Sequence, residues 1–316
     1  MLKLIVAPKA ALRQYVSREF WFIIDDLETS FGWRLLEPEE IYGDRRSLRE
    51  IFEDRFGAPP SVILFWESFR VIAARAPELS KLGSRIAVWA DDLHSFDDYT
   101  RLGRIAAFVL AEKIFAAHAN RFAYHYPFID KKDGLIWLPH AASPDFAVDF
   151  NEAPERSIFL GGAVNEHYPL RERLKVLGES GGVPVRVLDH PGYHCGFDYG
   201  NERCVGNRYA REISRHFAAF TDGSANHYLV AKFFEIPATG ALLLADDRMC
   251  SAFAQFGFED GVHYVSANAD NMEQRIREVL DPSHSMTMDG IRRAGRKLIE
   301  AAHLTRHRAR QIEEAF

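Results

Sequence analysis

TDGSANHYLVAKFFEIPATGALLLAD, residues 221–246, joins a polar turn, a short helix, a glycine-containing turn and a buried strand. Gly223, Ser224 and Asn226 lie where we expect the helix to begin. The first backbone N–H groups of a helix have no partner within it, and they suit phosphate oxygens. A proline then limits the helix, and a glycine opens the turn into the apolar strand. The stretch therefore predicts a phosphate-binding turn ahead of a buried strand.

The helix in this stretch carries one lysine and one glutamate on the same face. Lys232 and Glu235 are three residues apart, so their side chains are neighbours. We assign Lys232 to a phosphate and Glu235 to the two adjacent hydroxyls of a ribose, since a carboxylate can accept hydrogen bonds from both. A surface ion pair between the two side chains is the alternative.

The first half of the chain alternates apolar strands with helical patterns. We expect strands at 2–6, 33–36, 61–66, 85–89, 113–117 and 134–138, and helices at 11–29, 44–56 (with Asp44 as N-cap) and 69–79. Continuous apolar strands separated by helices predict a parallel sheet that is covered on both faces.

The alternation of strands and helices is interrupted once and then continues. Residues 139–157 are rich in Pro, Ala, Ser, Asp and Asn, which indicates a linker. We then expect strands at 157–160, 183–188 and 241–244, and helices at 170–179, 209–220, 270–280 and 289–316. The sequence therefore predicts two similar α/β lobes and a helical tail.

Composition excludes several classes of protein. The 316 residues suit two domains, and a net charge of −6 without a dense Lys/Arg run argues against nucleic-acid binding. No segment has the ~20 apolar residues of a membrane span, and the first apolar run suits a strand better than a signal peptide. We therefore expect a cytoplasmic protein. The basic segment 291–310 could touch anionic lipid weakly, although a solvated helix face explains it as well.

The cysteines predict neither disulfides nor a metal site. Cys195 and Cys204 lie in the His- and Cys-rich stretch HPGYHCGFDYGNERC. Zinc has to be considered there, but the spacing matches no zinc signature. Free thiols are the better interpretation.

Several polar groups follow predicted strands, where open parallel sheets bind their ligands. Gly161 and Gly162 end one strand, and Arg171 lies soon after. Glycines let the backbone approach a phosphate, and an arginine can pair with a diphosphate bidentately. His190 follows the next strand and borders the same predicted pocket. Ordinary turns with a surface arginine are the alternative for both places.

Three quoted segments carry a resemblance to a family. KFFEIPATGALLLAD, the following FAQFGFEDGVHYV and the late helix RRAGRKLIEAAHLTRHRAR resemble the C-terminal half of group 1 glycosyltransferases, and the CgeB-like branch most. His303, Thr305 and Arg308 resemble the family's late His-Thr helix, with Leu304 between the histidine and the threonine.

The resemblance implies the GT-B fold, with two Rossmann-like lobes facing a cleft and a C-terminal helical tail packing back on the N-terminal lobe. Residues 1–150 would bind the acceptor, 151–290 would bind a nucleotide-sugar, and the tail 291–316 would bridge the lobes. Glu235 matches the family's ribose-binding glutamate. Another glutamate, which faces the sugar, often precedes it by seven residues, and this chain has Tyr228 there.

The first lobe offers candidates for a catalytic base. The segment WADDLHSFDD resembles the Asp-rich turn after a strand in CgeB-like proteins. An Asp or a His could take the proton of the acceptor hydroxyl. Asp92 is the first choice, His94 the second and Glu67 the third. Helix-capping carboxylates are the alternative interpretation.

We therefore predict a metal-independent glycosyltransferase of polysaccharide or glycoside synthesis. Its donor would be a nucleoside-diphosphate sugar, with UDP or GDP as first choices, its acceptor would be a hydroxyl of a glycan or small glycoside, and it would need no further cofactor. The predicted donor-binding residues are Gly161, Gly162, Arg171, His190, Ser224, Asn226, His227, Lys232 and Glu235.

Two other functions fit the same architecture. Tyr228 in place of a sugar-facing glutamate is compatible with a non-catalytic protein that binds nucleotide or sugar. A UDP-sugar epimerase is the second alternative. A dinucleotide oxidoreductase is disfavoured, because the chain lacks the GxGxxG fingerprint.

Overall fold

The computed structural model describes residues 1–94 and 97–316 and divides into two compact units. Each unit is formed by more than one segment of the chain, and each contains one parallel sheet. Unit 1 comprises Met1–Arg13, Ile23–Pro139 and Arg308–Phe316, and unit 2 comprises Gln14–Phe22 and His140–His307.

Unit 1 contains a six-stranded sheet in which all described pairs are parallel. Its strands are β1 (Lys3–Val6), β2 (Arg34–Leu36), β3 (Val62–Trp66), β4 (Arg85–Ala90), β5 (Lys113–Ala116) and β6 (Leu135–Trp137). They lie in the order β2-β1-β3-β4-β5-β6. Helices precede or follow these strands: α1 (Lys9–Leu12), α2 (Glu19–Phe31), α3 (Glu39–Tyr42), α4 (Leu48–Phe56), α5 (Phe69–Leu82), α6 (Asp98–Leu110) and α7 (Phe122–His125).

The centre of this sheet is apolar on both faces, as the sequence predicts. Every residue of β3 is buried. At its carboxyl end Trp66 pairs in register with Trp89 of β4, and the two indole rings stack with centroids 4.4 Å apart. Stacking of two large buried rings stabilises this end of the sheet.

Unit 2 contains a five-stranded parallel sheet. Its strands are β7 (Glu155–Gly161), β8 (Val185–Leu188), β9 (His216–Thr221), β10 (Leu242–Asp246) and β11 (Val265–Ala267). They lie in the order β11-β10-β9-β7-β8. The helices of this unit are α8 (Pro169–Glu179), α9 (Gly206–Ser214), α10 (Lys232–Ala238), α11 (Cys250–Ala254), α12 (Met272–Leu280) and α13 (Ser285–Ala302). Two parallel-sheet α/β units confirm the predicted fold class.

The predicted helix at 209–220 is correct as far as Ser214 and wrong beyond it. The segment holds the end of α9 and then β9, and all six residues of β9 are buried between β7 and β10. A short apolar run fits either a buried helix or a buried strand by spacing alone. The segment is a strand because it pairs with two neighbouring strands, and this pairing cannot be read from a single sequence.

Other helix boundaries in the structure differ from those predicted from the sequence. The predicted helix 11–29 is α1 and α2 with a break between them. The helix expected from Asp44 begins at Leu48, because Ser47 forms a capping box with Glu50. The tail predicted as one helix is α13 followed by α14 (Thr305–Glu314).

The end of the tail belongs to unit 1. Glu313 accepts a hydrogen bond from Lys3 Nζ at 2.5 Å and another from Trp33 Nε1 at 2.7 Å. The Phe316 ring lies on the same indole, with ring centroids 5.8 Å apart. The prediction that the tail packs on the N-terminal lobe is therefore confirmed. No helix within residues 1–94 and 97–316 combines the length and apolarity that a bilayer crossing requires.

Candidate functional site

A glycine turn at the carboxyl end of β7 brings two cationic side chains against the backbone. Gly162 has φ +100°. A Cβ atom at this position would lie 2.5 Å from Lys232 Cε and 2.9 Å from Arg171 Nη1. Only glycine fits here without displacing these side chains. The structure therefore brings together Gly162, Arg171 and Lys232, three residues that the sequence selected separately.

Lys232 and Glu235 form a buried pair on α10. Lys232 Nζ lies 3.9 Å from Glu235 Oε2, and only 5% of Glu235 is exposed. Burial lowers the pKa of Lys232, against the opposing effect of Glu235, and Arg171 lowers it further. Burial also raises the pKa of Glu235, while Lys232 opposes that shift. The two side chains are thus not the surface ion pair of the alternative interpretation but a largely desolvated pair, in which each side chain affects the pKa of the other.

Other charged groups of unit 2 surround Glu235. Glu19 and Asp145 raise the pKa of Glu235, and His140 lowers it. Glu19 accepts hydrogen bonds from His140 Nδ1 at 2.9 Å and from Ala141 N–H at 2.7 Å. Glu19 and His140 are 121 positions apart, and neither is among the residues predicted from the sequence. In the sequence, the Pro-His pair at the start of the predicted linker was the feature that could have indicated His140.

Asp145 has an arginine partner from the same N-terminal segment. Arg18 Nε donates to Asp145 Oδ2 at 2.6 Å, and Arg18 Nη2 lies 2.5 Å from Oδ1. The Arg18 guanidinium also lies over the Tyr199 ring, 3.9 Å from its centroid. This bidentate pair anchors the segment Gln14–Phe22 within unit 2.

Arg171 is held by the protein itself. Its Nη2 donates to Thr221 Oγ1 at 2.9 Å and its Nη1 donates to Ala163 O at 3.1 Å. Its Nε lies 3.0 Å from Asp222 Oδ1, and both side chains are buried. Because the guanidinium makes these contacts within the protein, its role is to support the glycine turn. Its charge still reaches the site, since it lowers the pKa of Lys232.

His190 lies beside the same cations in a defined tautomer. The backbone N–H of Gly192 donates to His190 Nδ1 at 3.0 Å, so the neutral ring carries its proton on Nε2. Burial, then Lys232 and Arg171, lower the pKa of His190 to about 4. A neutral imidazole with an Nε2–H donor is suited to an anionic oxygen.

Residues 223–231 contain a turn at 224–227 and no helix, so the prediction of a helix start at Gly223, Ser224 and Asn226 is wrong. Ser224 and His227 have φ values of +58° and +56°, which interrupt a helix, and α10 begins at Lys232. Ser224 Oγ accepts from Asn226 N–H at 3.2 Å. The stretch is therefore shaped as a tight loop, and its phosphate-binding role stays a prediction.

Tyr228 occupies the position where the resembling family often has a glutamate. It is 2% exposed, and its backbone N–H donates to Gly223 O at 2.5 Å. A buried tyrosine supplies no carboxylate to a sugar, so the acidic side chains near Glu235 are the available alternatives.

The family-like tail residues support the backbone next to His140. Thr305 N–H donates to Ala142 O at 3.1 Å, and Ala142 N–H donates to His303 O at 2.9 Å. His303 Nε2 lies 2.9 Å from Phe256 O. Arg308, in unit 1, donates through Nε to Pro139 O at 2.8 Å. All three tail side chains are buried, and these residues contact main chain.

The first-lobe candidates lie at the carboxyl ends of β3 and β4. Asp92 has 55% of its side chain exposed, and His94 Nδ1 lies 3.9 Å from Asp92 Oδ1. Glu67 follows β3 directly, and its Oε1 accepts from Asp91 N–H at 2.6 Å. The rest of the segment WADDLHSFDD includes Ser95 and Phe96, which lie outside the described residues.

The chain resembles known glycosyltransferases in sequence over one part and in fold throughout. Residues 161–314, slightly less than half of the chain, match a family model described as glycosyl transferase-like. None of the curated proteins matches.

Solved structures match over the whole chain at low identity. Sucrose-phosphate synthase from Thermosynechococcus elongatus superposes with a TM-score of 0.66 at 12% identity, covering 100% of this chain and 98% of that one. Anabaena HepE, in complex with UDP and glucose, gives 0.63 at 9% identity and covers 100% and 99%. An alpha-glucosyltransferase in complex with UDP-glucose and DNA gives 0.62 at 11% identity and covers 99% and 98%.

Together these matches show that the chain has the fold of GT-B glycosyltransferase structures and that residues 161–314 resemble glycosyl transferases in sequence. They do not confirm the CgeB-like branch. The family match covers the glycine turn and α10.

Proposed function

We propose that the protein transfers a sugar from a nucleoside-diphosphate sugar to a hydroxyl of a glycan or small glycoside. One observation carries the proposal: Lys232, Arg171 and His190 share one electrostatic environment around the glycine turn at Gly162. Cationic and N–H donor groups around a strand-end glycine suit a diphosphate. Glu235, on the same helix as Lys232, then lies where a ribose diol would be bound.

The donor would be held by unit 2. Lys232 and the Nε2–H of His190 would contact phosphate oxygens, and Arg171 would add positive potential from behind Gly162. The Glu235 carboxylate would accept hydrogen bonds from the ribose hydroxyls, and Gly161, Ser224, Asn226 and His227 would line the predicted pocket. HepE and the alpha-glucosyltransferase are described with UDP or UDP-glucose, which favours UDP over GDP as the nucleotide.

The same groups would assist departure of the leaving diphosphate. As the bond from the anomeric carbon to the phosphate oxygen breaks, negative charge grows on that oxygen. Lys232 and His190 would stabilise the charge through contacts that strengthen in the transition state. Because protein cations supply this stabilisation, we propose that transfer needs no metal ion.

Unit 1 would bind the acceptor at the carboxyl edge of its sheet. Asp92 and His94 are the predicted proton acceptors, and both lie at this edge beside Glu67. The three side chains differ in burial and in their contacts. A cytoplasmic location and weak contact of segment 291–310 with anionic lipid remain part of the proposal.

We expect the purified protein to release nucleoside diphosphate from a UDP-sugar only when a glycoside acceptor is present. The acceptor should gain the mass of one sugar, measured by mass spectrometry, and EDTA should leave the rate unchanged. Donor binding without release would identify a non-catalytic binding protein. Conversion of the donor to a stereoisomer without acceptor would identify an epimerase. Loss of transfer in EDTA would contradict the metal-free mechanism.

A further inference from the structure

Glu67 occupies a constrained turn at the centre of the sheet in unit 1. It is the first residue after β3, a central strand of that sheet, and α5 begins two residues later at Phe69. Its φ is +48°, in the left-handed region that non-glycine residues adopt at a cost in free energy. A tight strand-to-helix turn of this kind presents its side chain at the carboxyl edge, where parallel sheets bind ligands.

Three strands hold this turn in place. Glu67 N–H donates to Trp89 O of β4 at 3.1 Å. The next residue, Ser68, donates through Oγ to Trp66 O of β3 at 2.9 Å and to Val6 O of β1 at 3.2 Å. The stacked rings of Trp66 and Trp89 lie directly before the turn. An unfavourable backbone conformation persists where its surroundings fix it in this way.

The carboxyl group of Glu67 is positioned by two neighbours, and the side chain is partly exposed. Oε1 accepts from Asp91 N–H at 2.6 Å, and Oε2 lies 3.6 Å from Arg104 Nη2. About a third of the side chain, 32%, is exposed. One carboxyl oxygen is therefore oriented by the protein, while the side chain is not fully enclosed by it.

Charges around Glu67 favour a group that exchanges a proton near neutrality. Burial raises its pKa to about 7; Arg104 opposes the shift, and Asp91 and Asp92 add to it. His118 Nε2 lies 3.8 Å from Asp91 Oδ1. Asp92, with 55% of its side chain exposed, has no comparable shielding from water. A proton acceptor works best with a pKa close to the working pH.

We propose that Glu67, rather than the more exposed Asp92, accepts the proton of the acceptor hydroxyl. In this step the O–H bond breaks and its proton passes to Glu67. The oxygen bonds to the anomeric carbon, and the bond from that carbon to the donor phosphate breaks with its electron pair going to the diphosphate. The inference rests on the proposed glycosyl transfer.

The test compares Glu67→Gln with Glu78→Gln. Glutamine at 67 keeps an oxygen for Asp91 N–H but cannot accept the proton. Glu78 is a matched control in unit 1, since its carboxylate also accepts a backbone N–H, from Leu48 at 2.7 Å, and pairs with Arg75 at 2.7 Å. We expect Glu67→Gln to lower kcat by about 10²–10⁴-fold with the affinity for UDP-sugar unchanged by calorimetry. Glu78→Gln should match the wild type.

The pH profile of the wild type provides a measurement that needs no variant. Glu67 must be ionised to accept a proton, so kcat/KM for the acceptor should rise with pH up to about 7 and then level off. Glu67→Gln should lose this rise. A wild-type profile that is flat between pH 5 and 8, or a folded Glu67→Gln variant with normal turnover, would overturn the inference alone. Failure of the wild type to bind or transfer from any nucleotide-sugar would instead overturn the proposed function.

Discussion

Glu235→Gln should weaken binding of the nucleotide-sugar donor by roughly 30- to 160-fold, as measured by calorimetry with UDP-glucose. The carboxylate is 5% exposed and Lys232 Nζ, 3.9 Å away, opposes the rise in its pKa. In the proposed donor complex this carboxylate accepts two hydrogen bonds from a ribose, and loss of a charged acceptor costs on the order of 2–3 kcal/mol. Glutamine preserves the volume of the side chain but presents one acceptor oxygen in place of two.

Glu212→Gln is the control for this variant. Glu212 is also a buried carboxylate of unit 2, 7% exposed, and it pairs with Arg203 and Arg215 at 2.9 Å each. Because it lies on α9 with its own exposed arginine partners, its replacement should leave donor affinity unchanged. Equal donor affinity in Glu235→Gln and the wild type would contradict the ribose assignment.

Lys232→Met should lower kcat/KM for the donor by about 10²–10³-fold, because the cation that stabilises the leaving diphosphate is removed. The side chain packs against Gly162, where a Cβ would lie 2.5 Å from Lys232 Cε. Methionine fills much of the same space without charge. Losing the lysine also removes the group that lowers the pKa of Glu235, so donor binding should weaken as well.

Steady-state kinetics with varied UDP-sugar check this expectation. Lys175→Met is the control, since Lys175 has 42% of its side chain exposed and lies 4.0 Å from Glu179 on α8. Its kinetics should equal those of the wild type. Unchanged kcat/KM in Lys232→Met would remove the lysine from the proposed mechanism.

Much of the fold was predictable because its central strands are uninterrupted apolar runs. β3 and β4 are bounded by polar turns, and each has the length of a strand rather than a helix. The same rule failed at β9, where Phe217 and Phe220 are also spaced as on a helix face. Pairing with β7 and β10 makes this segment a strand, and both of those strands are distant from it in sequence.

The candidate site was predictable only where its residues are close in sequence. Lys232 and Glu235 share a helical turn, so their proximity follows from spacing. The pairing of Arg171 with Asp222 depends on how α8 packs beside the end of β9, and that of Glu19 with His140 on the return of the chain to unit 2. The left-handed conformation of Glu67 is equally hidden, because the sequence has no glycine or asparagine there to signal it.

Ligand-dependent thermal unfolding tests the central claim, that unit 2 binds a nucleoside-diphosphate sugar. The wild type would be unfolded in the presence of UDP-, GDP-, dTDP-, ADP- and CMP-sugars, each at the same concentration. A ligand at 100 times its dissociation constant stabilises the native state by about 2.7 kcal/mol, which raises the unfolding temperature. We predict a clear rise with a UDP- or GDP-sugar that is strongly reduced in Glu235→Gln. An unfolding temperature that none of the five classes raises would contradict donor binding by unit 2.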